Sequence, residues 1–283
     1  LGVSWDPVKG IQKDNLNKRY RLPKLAKIKR IALDEIYQGK KLGYLTIVLD
    51  LQRGSVIFVG NGKGADALIP FWKRLKRSGA RIEAVATDMG PAYISAVRTN
   101  IPDATLVFDH FHIIKLFNEK LTKLRRDLQR EAENGLGKPV LKGIRWLLLK
   151  NPDNLDDKRN ERQRLDEALK LNEPLATAYY MKEELRNIWH QPDKLSAQKA
   201  LDEWVKKAAA SDVNMLKQFS KTIAAHRSGI LAYFDFNGLS NGPLEGINNK
   251  IKTLHKMAYG FRDVEFFKLK IMALHETNYV LVG

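Results

Sequence analysis

Strand-like segments crowd into the first third of this 283-residue chain and then stop. Arg30–Ile36, Tyr44–Leu51, Ser55–Val59, Arg81–Thr87 and Ala104–Phe108 are short β-rich runs separated by turns or helical spacing. Gln52, Arg53 and Gly54 make a tight turn between the second and third, so the first three follow one another directly. Leu68, Phe71, Trp72 and Leu75 stand at i, i+3, i+4 and i+7 within Asp66–Ser78, which predicts an amphipathic helix ended by Gly79. Ala92–Thr99 predicts a second, shorter helix. From His112 to about Phe236 strand character disappears and helical periodicity takes over. A chain so ordered must build its sheet early and cover it with helices.

The order βββαβαβ is that of an RNase H-like fold, an antiparallel run continued by parallel strands. The predicted class is therefore α/β: an RNase H-like mixed sheet with a large all-α insertion before the last well-patterned helix. The expected domains are 1–28, a partial helix-turn-helix and basic linker; 29–112, the first part of the core; 113–236, the helical insertion; and 237–283, the closing helices. Leu1-Gly-Val-Ser4 reads as the turn of a helix-turn-helix, with Ser4 capping the next helix. Val8 and Ile11 would form that helix's buried face, with Trp5, Asp6 and Lys9 outward. The first helix of the pair is missing, so the expectation is a fragment of a longer protein. Lys18–Lys29, basic and broken by Pro23, suits a linker lying along phosphates.

Charge narrows the partner. Lys and Arg number 49 against 32 Asp and Glu, a net +17, which points to nucleic acid first and anionic membrane second. Apolar runs such as Tyr44–Leu49 fall far short of the roughly 18 residues a membrane span needs, and no secretory leader opens the chain. With no cysteine, disulfides, thiolate zinc sites and a cysteine nucleophile are excluded within it. In the helical block, Ile113, Leu116, Phe117, Leu121 and Leu124 form one stripe beside a row of cations that includes Lys123, Arg125, Arg126 and Arg130. These four are candidate DNA-backbone contacts.

Three acids stand where side chains can converge. Asp34 closes the first strand, Asp88 follows the fourth, and Glu245 opens the helix after the helical block. Hard oxygen donors suit Mg²⁺, and a two-ion site needs converging carboxylates. The competing reading makes each aspartate a turn residue and Glu245 a partner of the helix dipole. At 100° per residue Glu245, Asn248, Asn249, Lys252 and Lys256 share one side of their helix, opposite Ile247, Ile251 and Leu254. Asn249, Lys252 and Lys256 would then track a DNA backbone beside a metal ligand. His110 and His112 share a face if the fifth strand continues, suiting metal or phosphate contact, but zinc is improbable without a third histidine or cysteine. Asp50 and Glu35 are rival acids, although Glu35 points away from Asp34. Asn61-Gly-Lys-Gly64 lacks the ending of a phosphate-cradling P-loop and reads as a plain loop.

Ile31-Ala-Leu-Asp-Glu35, Ala86-Thr-Asp-Met89, Phe108-Asp-His-Phe-His112, Ser240–Lys252 and Tyr259-Gly-Phe-Arg262 together resemble the signature segments of insertion-sequence transposases of the ISL-three type. The resemblance runs from about residue 29 to the C-terminus. It implies a DDE transposase whose catalytic triad is Asp34, Asp88 and Glu245, with His112 supporting. It implies Mg²⁺, or Mn²⁺ in its place, as cofactor. The substrate would be double-stranded DNA at transposon ends and target, bound by a homodimer or higher homo-oligomer with no membrane partner. The setting would be the cytoplasm of a prokaryote, at the nucleoid. Such proteins also carry an N-terminal zinc segment and a helix-turn-helix; here the first is absent and the second at best half present. The alternatives are an RNase H-like nuclease or resolvase that hydrolyses without strand transfer, and a catalytically inactive DNA-binding derivative.

Overall fold

The computed structural model describes Gly2 and residues 4–40, 43–131 and 137–276. The chain divides into two compact units. One joins residues 1–109 to 235–283, and the other is the continuous stretch His110–Phe234.

The first unit is built on a sheet of β1 (Arg30–Tyr37), β2 (Tyr44–Asp50), β3 (Ser55–Asn61), β4 (Ala84–Thr87) and β5 (Thr105–Phe108). The spatial order is β3-β2-β1-β4-β5. The β1–β2 and β2–β3 pairs are antiparallel, whereas β1–β4 and β4–β5 are parallel. Tight turns suffice for the antiparallel pairs, while parallel ones need helical crossovers. Preceding the sheet is α1 (Trp5–Tyr20), and the crossovers carry α2 (Ile69–Ser78) and α3 (Pro91–Asn100). The helix expected from Asp66 begins as a 3₁₀ turn, Ala65–Leu68, and becomes α-helical where Pro70 occupies its first turn. Gly79 ends it at φ 66°, as its position predicts.

The second unit is helical: α4 (His110–Glu131), α5 (Gly137–Gly143), α6 (Glu161–Lys170), α7 (Glu173–Asn187), α8 (Lys194–Ala210), α9 (Asn214–Ala225) and α10 (Arg227–Asp235), the last closing at the unit boundary. Phe117, Trp204 and Phe219 meet edge-on at its centre. Their ring centroids lie 5.1–6.3 Å apart, within the range of favourable aromatic pairs. The chain then returns to the first unit with α11 (Gly242–Met257) and α12 (Val264–Met272).

Period-two alternation assigns each sheet residue to a face. Ile31, Leu33, Val48, Ile57 and Val85 pack with Phe71, Trp72, Leu75, Tyr93 and Val97 of α2 and α3. Ala32, Ile36, Ile47, Leu49 and Ala86 pack with Leu244, Ile247, Ile251, Phe267 and Ile271 of α11 and α12. Asp34 lies between Ala32 and Ile36 in this alternation, so it belongs to the α11 face. Glu35 belongs to the opposite face, where it accepts a hydrogen bond from the Tyr93 hydroxyl at 2.9 Å. Burial there pushes the Tyr93 phenol pKa up.

Three local expectations are corrected. Val8 and Ile11 are exposed, at 45% and 73%, and Ser4 makes no side-chain cap. Lys9, expected outward, reaches Asp263 at 3.1 Å, and Lys13 reaches it at 2.8 Å. Helix α1 is therefore docked by ion pairs, by Tyr20 and Arg19 on Glu276, and by Leu16 and Tyr20 in the apolar cluster, not by Val8 and Ile11. The basic run before β1 is likewise anchored: Leu25 and Ile28 are buried and Lys29 pairs with Glu83 at 2.8 Å. Finally, the chain does not stay extended after Phe108. Helix α4 starts at His110, so His110 and His112, two residues apart, do not share a face.

Asp263 also caps α12, accepting from the Phe266 amide at 3.0 Å. Lys13, that amide and Lys9 hold its carboxyl well below the usual carboxylate range. Asp263→Ala is expected to cost about 1 kcal/mol at neutral pH. The sign follows from the depressed pKa: stability is present above the ordinary carboxylate range and lost as pH falls towards the folded value. The gap in melting temperature between wild type and variant should thus close in strong acid, and an unchanged gap there would rule out the ionic docking.

Candidate active site

Two of the three acids are placed by the sheet. The last β1–β4 partners are Ala32 and Ala86, and two residues further on each strand come Asp34 and Asp88. The same alternation puts Asp34 on the α11 side, and Asp88 directly follows the strand that carries Ala86 on that face. Asp88 is just beyond β4, where its Oδ1 accepts from the Gly90 amide at 2.9 Å. A Cβ on residue 90 would sit 2.8 Å from that oxygen, so glycine there leaves room for the turn that Asp88 folds onto. Asp34 Oδ1 accepts from the Glu35 amide at 2.8 Å.

The helix that carries the third acid is fixed to the same strand. Pro243 opens α11, and Leu244, Ile247 and Ile251 bury its apolar stripe against the sheet. Asn241, only 1% exposed, donates its amide to the Leu33 carbonyl at 3.2 Å. Asn248 donates to Asp34 Oδ2 at 2.8 Å. Glu245 lies three residues before Asn248, one turn up the helix, and is exposed. Asn248 is the correction to the helical wheel: it is 6% exposed and sits with the buried face, whereas Asn249, Lys252 and Lys256 are exposed as expected. Sequence reasoning missed both asparagines as positioning groups. Their spacing to Leu244 and Ile251 was the available signal.

Among the described residues no three His, Asp or Glu side chains are gathered as a ready metal cage. The donor chemistry nevertheless fits a hard divalent ion. Both aspartates offer carboxylate oxygens on adjacent strands, Asp34 inside β1 rather than closing it as expected and Asp88 just past β4, and such hard donors suit Mg²⁺. The rival acids have other work. Asp50, 1% exposed, caps its turn through the Gln52 amide at 3.0 Å, and Glu35 is held by Tyr93. Gly62 and Gly64, at φ 88° and 85°, make the segment after β3 a loop.

In the second unit, Lys123, Arg126 and Arg130 are exposed on α4. Arg125 is not: it is 5% exposed, and its guanidinium donates to Gln129 at 2.8 Å and to the Leu141 carbonyl at 3.0 Å. Burial draws its pKa down from the ordinary guanidinium value. It leaves the set of DNA contacts and instead ties the segment around Leu141 to α4. His112, expected as a supporting group, is half-buried in the first turn of α4. Arg125→Ala should orphan a buried carbonyl and cost about 1–3 kcal/mol, whereas Arg126→Ala should leave stability within about 0.5 kcal/mol. Urea midpoints of the two variants check this, and equal midpoints would return Arg125 to the surface.

No helix of the described residues is long and apolar enough to cross a membrane. The family model for transposases matches residues 31–271. The transposase for insertion sequence element IS1001 of Bordetella parapertussis is 35% identical over 279 residues, covering 98% of this chain and 68% of its own length. The transposase for insertion sequence element IS1557 of Mycobacterium tuberculosis is 30% identical over 265 residues, covering 86% of this chain and 59% of its own. About a third or more of each relative thus lies outside the match. On the family match and both relatives, the chain belongs to the insertion-sequence transposases of the ISL-three type.

Proposed function

We propose that this chain is the catalytic core of a DDE transposase with an RNase H-like sheet, interrupted by a helical insertion. It cleaves at transposon ends and joins the freed 3′-hydroxyl to target DNA. The observation that carries the reading is the hydrogen bond from Asn248 to Asp34. It pins the helix bearing Glu245 to the strand bearing Asp34, whose parallel neighbour leads to Asp88. The strand order, antiparallel then parallel, supports the RNase H-like assignment.

In this reading Asp34, Asp88 and Glu245 hold Mg²⁺, with Mn²⁺ as a substitute. When bound, the ions lower the pKa of the attacking hydroxyl or water and stabilise the leaving oxygen. The chain's own residues do the positioning. Asn248 and the Glu35 amide fix the Asp34 carboxylate, and the Gly90 amide fixes that of Asp88. Asn249, Lys252 and Lys256 line a phosphate track on α11, and the family resemblance gives His112 a supporting role. Each step is an in-line displacement: an oxygen–phosphorus bond forms as another breaks, and the departing 3′-oxygen takes a proton. Cleavage and joining are the same chemistry with water or a 3′-hydroxyl as nucleophile, so one site serves both. A homo-oligomer on paired DNA ends, in the cytoplasm, completes the proposal.

A strand-transfer assay with pre-cut terminal-repeat duplexes tests it. Joined product in Mg²⁺ is expected; hydrolysis without joining would favour a nuclease or resolvase, and retained binding with neither activity an inactive derivative.

A further inference from the structure

Within the first unit, a cleft of about 910 Å³ opens among the start of α1, the β1–β2 connection and the turn between α11 and α12. Its lining includes Gln38, which is 7% exposed and whose amide nitrogen has no hydrogen-bond partner. A buried, unpaired donor is costly and uncommon in folded proteins, and the residue that carries this one lines the cleft. At the rim Tyr259 is fully exposed, with φ at 49°. That left-handed conformation is unusual for a bulky residue. The turn enforces it: the Tyr259 amide donates to the Lys256 carbonyl at 3.0 Å and the Gly260 amide to His255 at 2.9 Å. Glycine at 259 would close the same turn without strain, so holding an aromatic ring out in water calls for another reason. Trp5, 63% exposed, presents a second aromatic side chain to the cleft.

The charges lining this space favour an anion. Lys40 and Arg262 line it and are exposed, and neither is ion-paired among the described residues. Asp263 is already neutralised by Lys9 and Lys13, and Asp6 offsets only part of what remains. Exposed rings, an unpaired amide donor and free cations in one cleft form a stacking platform with phosphate contacts.

We propose that the cleft receives an unpaired nucleotide of single-stranded DNA. The base stacks on Tyr259 and accepts a hydrogen bond from Gln38, while its phosphate lies by Lys40 and Arg262. A paired base cannot take this place, because its pairing edge is already hydrogen-bonded and, inside a duplex, both its faces are covered by neighbours. The proposal rests on the DNA-processing reading for the source of such a strand, at an opened or cut end.

The test is binding by the full chain in EDTA, so that no chemistry contributes. The probes are a single-stranded oligonucleotide carrying a fluorescent adenine analogue, quenched by stacking, and a blunt duplex. Tyr259→Gly, which relieves the turn as it removes the ring, is expected to weaken single-strand binding about tenfold. It should abolish the quenching and leave blunt-duplex affinity within about twofold. Tyr259→Phe should restore both single-strand signals, and Gln38→Leu should weaken binding several-fold with quenching retained. Unchanged single-strand affinity of Tyr259→Gly overturns the proposal. So does a variant that alters only the sedimentation of the free protein, which would make the cleft a contact for a second copy. Failure of the active-site reading shows separately, as normal joining by Asp88→Asn with these binding results intact.

Discussion

Asp88→Asn and Glu245→Gln should each lower Mg²⁺-dependent joining by at least about a thousandfold, equivalent to roughly 4 kcal/mol of transition-state stabilisation, while folding and DNA binding persist. Both changes preserve size, so packing is kept, and each removes one negative charge from a proposed ligand of Mg²⁺, an ion held by charge and oxygen geometry. In the proposed site Asp34 of β1 and Asp88, just past the parallel neighbour β4, would repel each other without metal. Relief of that repulsion should leave the Asp88→Asn melting temperature equal or slightly higher. Helix capping predicts the opposite for Glu245: some tenths of a kcal/mol to about 1 kcal/mol of stability lost and activity kept. Melting temperature, affinity and joining measured on one preparation separate the two. Wild-type joining by Glu245→Gln would end its candidacy as a ligand.

Duplex affinity should fall steeply with salt. The exposed cations Lys123, Arg126, Arg130, Lys252 and Lys256, if each neutralises one phosphate, give a slope of log K against log salt of about −4.5. Between 50 and 200 mM salt that is a loss on the order of several hundredfold. Arg125→Ala, judged on its folded fraction, should leave the slope unchanged, whereas Arg126→Ala should reduce it by about one unit. A wild-type slope weaker than about −2 would mean that the +17 charge is not a DNA footprint.

The sheet was readable because β-rich runs and tight turns are local signals. β1 and β2 begin where the sequence places them, and Gly79 stops α2 as its left-handed freedom predicts. Where partners are remote the reading failed. Asn248 looked like one more amide on a polar face, yet the carboxylate it serves is 214 residues away. Arg125 stands four residues after buried Leu121, in step with the apolar stripe, but its charge suggested solvent; the carbonyl of Leu141 decides otherwise. On α1, Val8 and Ile11 follow a helical spacing that docking does not use, because Lys9 and Lys13 reach an acid near the far end of the chain. The metal chemistry itself came from the order of three acids and the family resemblance, since no local pattern encodes convergence.

The interruption of the first unit by His110–Phe234 has a consequence for synthesis. During translation β1–β5 emerge first, with α2 and α3 available to cover one face of the sheet. The other face, including Ala32, Ile36, Ile47, Leu49 and Ala86, waits for α11 and α12. At about 5–20 residues per second the delay is on the order of 10 s, long enough for the bare face to meet a chaperone or another nascent chain. Asn248 arrives with the same late segment, so Asp34 gains its amide partner only near the end of synthesis. A chain that stops early is therefore sticky on that face and, in the proposed reading, without Glu245, the third metal ligand.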